Sequence, residues 1–166
     1  MPTHVIWKEL DPVLANEIIV SVQATNKSLY RRALDVLSPH MGLRPVKVLE
    51  MPKVERHAVW QKFLADPGME ALSFNFLSHW LVTAQTPMLC AWLDALQIPH
   101  NAQGCADQFP PCPSEAQLKK AVDVLLKNFD PKIVAIYLRA FNEIDGVLWE
   151  PLQRLLETDT RLKLPA

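Results

Sequence analysis

Apolar residues recur at helical spacing along nearly the whole chain. The clearest run is 114–129, where Leu118, Val122, Leu125, Leu126 and Phe129 share one face and Lys119, Lys120, Asp123 and Lys127 the other. Ser114 followed by Gln117 is a capping-box pattern that fixes the start of this helix. Asp11-Pro12, Asp66-Pro67 and Asp130-Pro131 mark three further starts. Aspartate accepts from the free amides of a first turn, and proline at the first helical position loses no bond it would have made. Thr86-Pro87 and Met51-Pro52 are weaker versions of the same signal. The spacing predicts helices at 12–24, 27–38, 52–65, 67–85, 87–98, 114–129, 131–144 and 147–160. Two stretches could instead be extended: the β-branched run Glu17 to Val22, and Pro45 to Met51.

Helix 67–85 is apolar almost all round, with Met69, Leu72, Phe76 and Trp80 on one line and Phe74, Leu77, Leu81 and Ala84 on another. Helix 131–144 is similar. Such helices are normally surrounded by others, so the expected fold is all-α, about eight helices in a layered array or orthogonal bundle. The two Asp-Pro helices, each with a second helix after it, echo a helix-hairpin repeat faintly. Residues 99–113, with Pro99, Pro110, Pro111 and Pro113, carry no helical pattern. A loop of this length tends to be functional, and the expectation is an ordered, Pro-rich strap that docks through Phe109.

With 166 residues, 49% hydrophobic and 21% charged, the chain has the composition of one globular domain, taken as 1–166. Fourteen prolines are helix punctuation on this reading, not a Pro-rich ligand. The net charge of −1 argues against a whole-chain nucleic-acid footprint. Arg31, Arg32, Arg44, Lys47, Lys53, Arg56, His57 and Lys62 make residues 1–62 mildly basic, while 63–118 hold no Lys or Arg at all. Solvated helix faces are the default for the first; the second is either interior with an acidic rim or a surface for a basic or apolar partner. The least charged stretch, Ala71 to Leu93, carries Asn75, His79 and Thr83 and is broken by Pro87, so no membrane span is expected. The N-terminal residues lack the layout of a secretory signal. Three cysteines, Cys90, Cys105 and Cys112, fit a reduced cytoplasmic thiol set better than a disulfide framework, with a Cys105–Cys112 bridge left open.

The common local signatures of catalysis are missing. Four isolated glycines give neither a dinucleotide loop nor a P-loop, and there is no G-x-S-x-G, H-E-x-x-H, E-x-x-H or C-x-x-C. What remains is a set of isolated candidates. Asn75, His79 and Thr83 form a polar stripe on an apolar helix; they either line a polar cavity or, the default for His79, find structural partners. Tyr137 and Arg139 share helix 131–144, where Arg139 pairs with Asp94 or Glu143 or reads an anion. His100, Cys105 and Cys112, with Asp107 as a fourth donor on the same loop, could wrap a zinc ion, at spacings looser than usual. No cofactor is expected. The reading is a non-enzymatic protein–protein interaction or adaptor module, cytoplasmic, with a protein partner or self-association. The alternative is a small-molecule- or metal-binding helical protein, an enzyme among the options, with a polar pocket at His79 or the strap.

Overall fold

The computed structural model describes residues 1–144 and 147–164. Among them are ten α-helices, two short 3-10 turns and no strand, so the fold is an all-α multi-helix array. The chain divides into two compact units, residues 2–80 and the stretch from Leu81 onward.

The first unit comprises α1 (Thr3–Glu9), α2 (Pro12–Thr25), α3 (Lys27–His40), α4 (Pro45–Glu50), α5 (Lys53–Leu64), a 3-10 turn (Pro67–Met69) and most of α6 (Glu70–Ala84). Asp11 Oδ1 accepts from the amides of Val13 and Leu14, as the Asp-Pro signal requires. The β-branched run lies within α2, because a helix places Ile18, Ile19 and Val22 together on the buried face. Local β preference yields to that burial. The segment 45–51 is also helical over α4, with Pro45 in its first turn and Val48 buried. Helix α1 has no cap of its own. Glu70, far along the chain, accepts from the amides of Thr3 at 2.7 Å and His4 at 3.0 Å. Burial works to raise the Glu70 carboxyl, but the donors from His4 and Thr3 outweigh it and hold it below the usual range.

Aromatic rings fill this core. Trp60 packs on Tyr30, Phe63 and Phe76 with centroids 4.9, 6.0 and 5.7 Å apart. Trp7 meets Phe76 edge-on and donates its indole N–H to the Ser73 carbonyl. The predicted helix 67–85 is a 3-10 turn followed by α6, and α6 is not wrapped all round. Ser73, Phe76, Leu77, Trp80 and Leu81 are buried, whereas Asn75, Thr83 and Ala84 are exposed.

The second unit holds α7 (Thr86–Ala95), the strap, α8 (Glu115–Asn128), α9 (Pro131–Asn142), α10 (Glu150–Thr158) and a 3-10 turn (Thr160–Leu162). The capping box at Ser114 and Gln117 is present at the start of α8. Helix α9 is the central one, buried from Val134 through Asn142, with α8, α10 and the last turn packed on it. Phe141 gathers Trp92, Phe109, Tyr137 and Trp149 around one ring. In the strap, Phe109 stands edge-on to Phe141 at 5.4 Å. Gly104 presses against α7 so closely that a Cβ would lie 2.6 Å from Leu89 Cβ.

Candidate functional site

In the first unit, α1, α3 and α5 enclose a groove of about 690 Å³. Its floor is apolar: Leu37 and Phe63 are buried, and Val5, Met41 and Val59 are half-buried. The His40 ring stands edge-on to Phe63 at 5.9 Å and extends that floor toward solvent. Lys8 and Lys62, both exposed, stand at the rim, with Asp66 as the one carboxylate among the lining residues. The Asp66 carboxylate already accepts from the Gly68 amide. His4 is tied to Glu70 through Nδ1 at 2.6 Å, which fixes the N-terminal wall. The arrangement is a hydrophobic trough with a cationic edge, within the ~300–1,000 Å³ range of ligand sites. It suits an occupant with apolar side chains and acidic groups.

None of the candidates from the sequence lines this groove. Its residues come from three helices separated along the chain, and no local motif joins them. His79 Nε2 lies 2.8 Å from Thr25 Oγ1, whose own proton goes to the Ser21 carbonyl, so the imidazole is the donor. Asn26 approaches Nδ1 at 3.5 Å while its carbonyl oxygen caps α3. His79 therefore braces the α2–α3 junction. Asn75 and His79 belong to the first unit, whereas Thr83, Tyr137 and Arg139 belong to the second.

Arg139 is buried and donates to the carbonyls of Leu162 at 2.9 Å and Leu156 at 3.2 Å. Its fork thus ties the end of α10 and the following turn to α9. Tyr137 is buried two residues away in sequence. Burial pushes its phenol far above the ordinary range, and the neighbouring Cys105 and Cys90 add to the effect. Two of the basic residues of α4 and α5 are engaged locally: Lys47 pairs with Glu50, and Arg56 donates to the Leu49 carbonyl.

A second hollow of about 730 Å³ runs along the strap, lined by Gln97, His100, Asn101, Cys105, Asp107 and Phe109 among others. His100 donates from Nε2 to Asp94 at 2.9 Å and from Nδ1 to the Asn101 carbonyl at 2.7 Å. Both bonds favour the imidazolium, Asp94 most, and raise its pKa. A ring with both nitrogens donating cannot also ligate a metal. Cys112 does not line this hollow, and its thiol faces the Pro113 carbonyl. Among the described residues no three His, Cys, Asp or Glu side chains converge, so the expected His100–Cys105–Cys112 metal set does not assemble. The three cysteines are free thiols, with no Cys105–Cys112 bridge. No described helix is long and apolar enough to cross a membrane. No family model, no curated protein and no solved structure matches this chain.

Proposed function

We propose that this chain is a non-enzymatic protein-interaction module whose first unit receives an acidic amphipathic helix of a partner protein. The observation that carries the reading is the apolar groove between α1, α3 and α5, rimmed by Lys8 and Lys62. A helix laid in such a groove buries residues at i, i+3, i+4 and i+7 on Leu37, Val59 and Phe63. Its acidic flank meets the two lysines, which gives orientation and steers encounter more than it adds affinity. The same unit also carries the two most exposed large apolar side chains among the described residues, Val13 at 78% and Val54 at 84%.

The test uses two short amphipathic peptides, one of leucine and glutamate and one of leucine and lysine, with dodecanoate as a third probe. NMR shifts are followed at Val5, Leu37, Val59 and Phe63. The acidic peptide should perturb these residues, and raising the salt should weaken it. Lys8→Glu with Lys62→Glu should cost roughly tenfold in affinity, as two exposed charge pairs worth ~0.2–1 kcal/mol each are lost. Equal binding of the basic peptide, or shifts confined to another surface, overturns the proposal. Binding of dodecanoate while both peptides fail would identify the groove as a site for a small anionic amphiphile instead.

A further inference from the structure

The second unit holds two of its three thiols, Cys90 and Cys105, at one feature that the groove does not use. The turn Asn101–Cys105 is closed by the Asn101 amide on the Cys105 carbonyl at 2.9 Å and the Gly104 amide on the Asn101 carbonyl at 3.1 Å. The Asn101 side-chain oxygen accepts from the amides of Gln103 and Cys105, both at 3.0 Å. This rigid turn is seated on α7 at Leu89 and Cys90. Gly104 is buried there with φ +72°, and its Cβ position lies 3.1 Å from the Cys90 nitrogen. The Cys90 thiol points into the turn, 3.8 Å from the Ala102 carbonyl. Cys105 follows Gly104, so its Cα is one step of ~3.8 Å from the residue whose Cβ position faces the Cys90 nitrogen. A disulfide needs its two Cα atoms ~4.4–6.8 Å apart, and the two thiols here face neighbouring carbonyls of this one turn, Cys90 that of Ala102 and Cys105 that of Gln103.

We propose that Cys90 and Cys105 are a site of reversible oxidative modification, joined as a disulfide by a two-electron oxidant such as a peroxide. Cys105 is exposed and meets the oxidant first, while Cys90 is half-buried. The Cys105 thiolate attacks the O–O bond and becomes a sulfenic acid, releasing one water. The Cys90 thiolate then attacks that sulfur, the S–S bond forms, and the hydroxyl leaves as a second water. Two thiol protons and two electrons pass to the peroxide, and the strap is locked to α7 beside Tyr137, whose phenol feels both thiols. Cys112 stands apart: its thiol is turned to the Pro113 carbonyl, and burial pushes its pKa up, which lowers its thiolate fraction.

The experiment treats the full chain with hydrogen peroxide, blocks remaining thiols by alkylation, and maps the product by mass spectrometry. Trypsin cannot separate the cysteines, because no Lys or Arg lies between Lys62 and Lys119. Cleavage before aspartate places Cys90 in 66–93, Cys105 in 94–106 and Cys112 in 107–122. The expected product joins 66–93 to 94–106 with loss of two hydrogens, is reversed by dithiothreitol, and slows amide exchange across 101–105. Cys112→Ser should retain it. Cys105→Ser, at an exposed position that leaves the helical circular dichroism unchanged, should abolish it. A link between 94–106 and 107–122, a disulfide between two copies, or three separately alkylated thiols after treatment overturns the proposal.

Discussion

Replacing Gly104 with alanine puts a methyl group where α7 already stands. Its Cβ would lie 2.6 Å from Leu89 Cβ, 3.1 Å from the Cys90 nitrogen and 3.2 Å from the Leu89 carbonyl carbon. Two of these neighbours are helix backbone and cannot swing aside. The φ of +72° adds the cost of a left-handed alanine, about 1–2 kcal/mol. Gly42 provides the matched control, with φ +67° and nothing within 4 Å of its Cβ position. Gly42→Ala should therefore show the backbone term alone, about 1–2 kcal/mol. Gly104→Ala should add an overpacking term of about 1–3 kcal/mol. Urea unfolding followed by circular dichroism gives the free energies, and hydrogen exchange at 101–105 gives the local response. If the strap yields by lifting off, the Cys105 amide loses protection and Phe109 leaves Phe141. A Gly104→Ala protein no less stable than Gly42→Ala, with the 101–105 amides still protected, would refute the close seating of the strap on α7.

The His100 imidazolium is favoured first by Asp94 and then by the Asn101 carbonyl, so its pKa is raised. Its stabilisation of the strap is fully present below the unfolded value near ~6.5 and is lost as pH rises through the higher folded value. Asp94→Asn should lower the midpoint seen in an NMR titration of the His100 ring, and an unchanged midpoint contradicts the pairing. Arg139→Met should cost about 2–4 kcal/mol in thermal unfolding, because the carbonyls of Leu156 and Leu162 lose their donor. Arg139→Lys should not restore it, since a single ammonium cannot replace a two-pronged fork; full recovery with lysine would count against that geometry.

Signals that act within one turn of helix were legible in the sequence. Asp11 and Asp130 cap α2 and α9, and Ser114 with Gln117 caps α8, because a cap needs only its own side chain and the next few amides. The phase of Ile18, Ile19 and Val22 was legible too, although their β-branched character pointed both ways. The docking of Phe109 followed from one large apolar side chain on an otherwise polar loop. Helix α1 was not legible, since its first amides are satisfied by Glu70 rather than by a local residue. The predicted helix 147–160 begins later, at Glu150, where the Trp149 amide is taken by Asn142 Oδ1. The role of His79 waited on Thr25 and Asn26, and that of Arg139 on two carbonyls no sequence pattern marks. The groove is the extreme case. Lys8, Leu37, Lys62 and Phe63 look like ordinary helix residues in the sequence, and only the packing of α1, α3 and α5 makes them one surface. Periodicity and capping are properties of neighbouring residues, so the sequence determines the helices; a binding surface depends on distances between remote side chains, which only the tertiary structure decides.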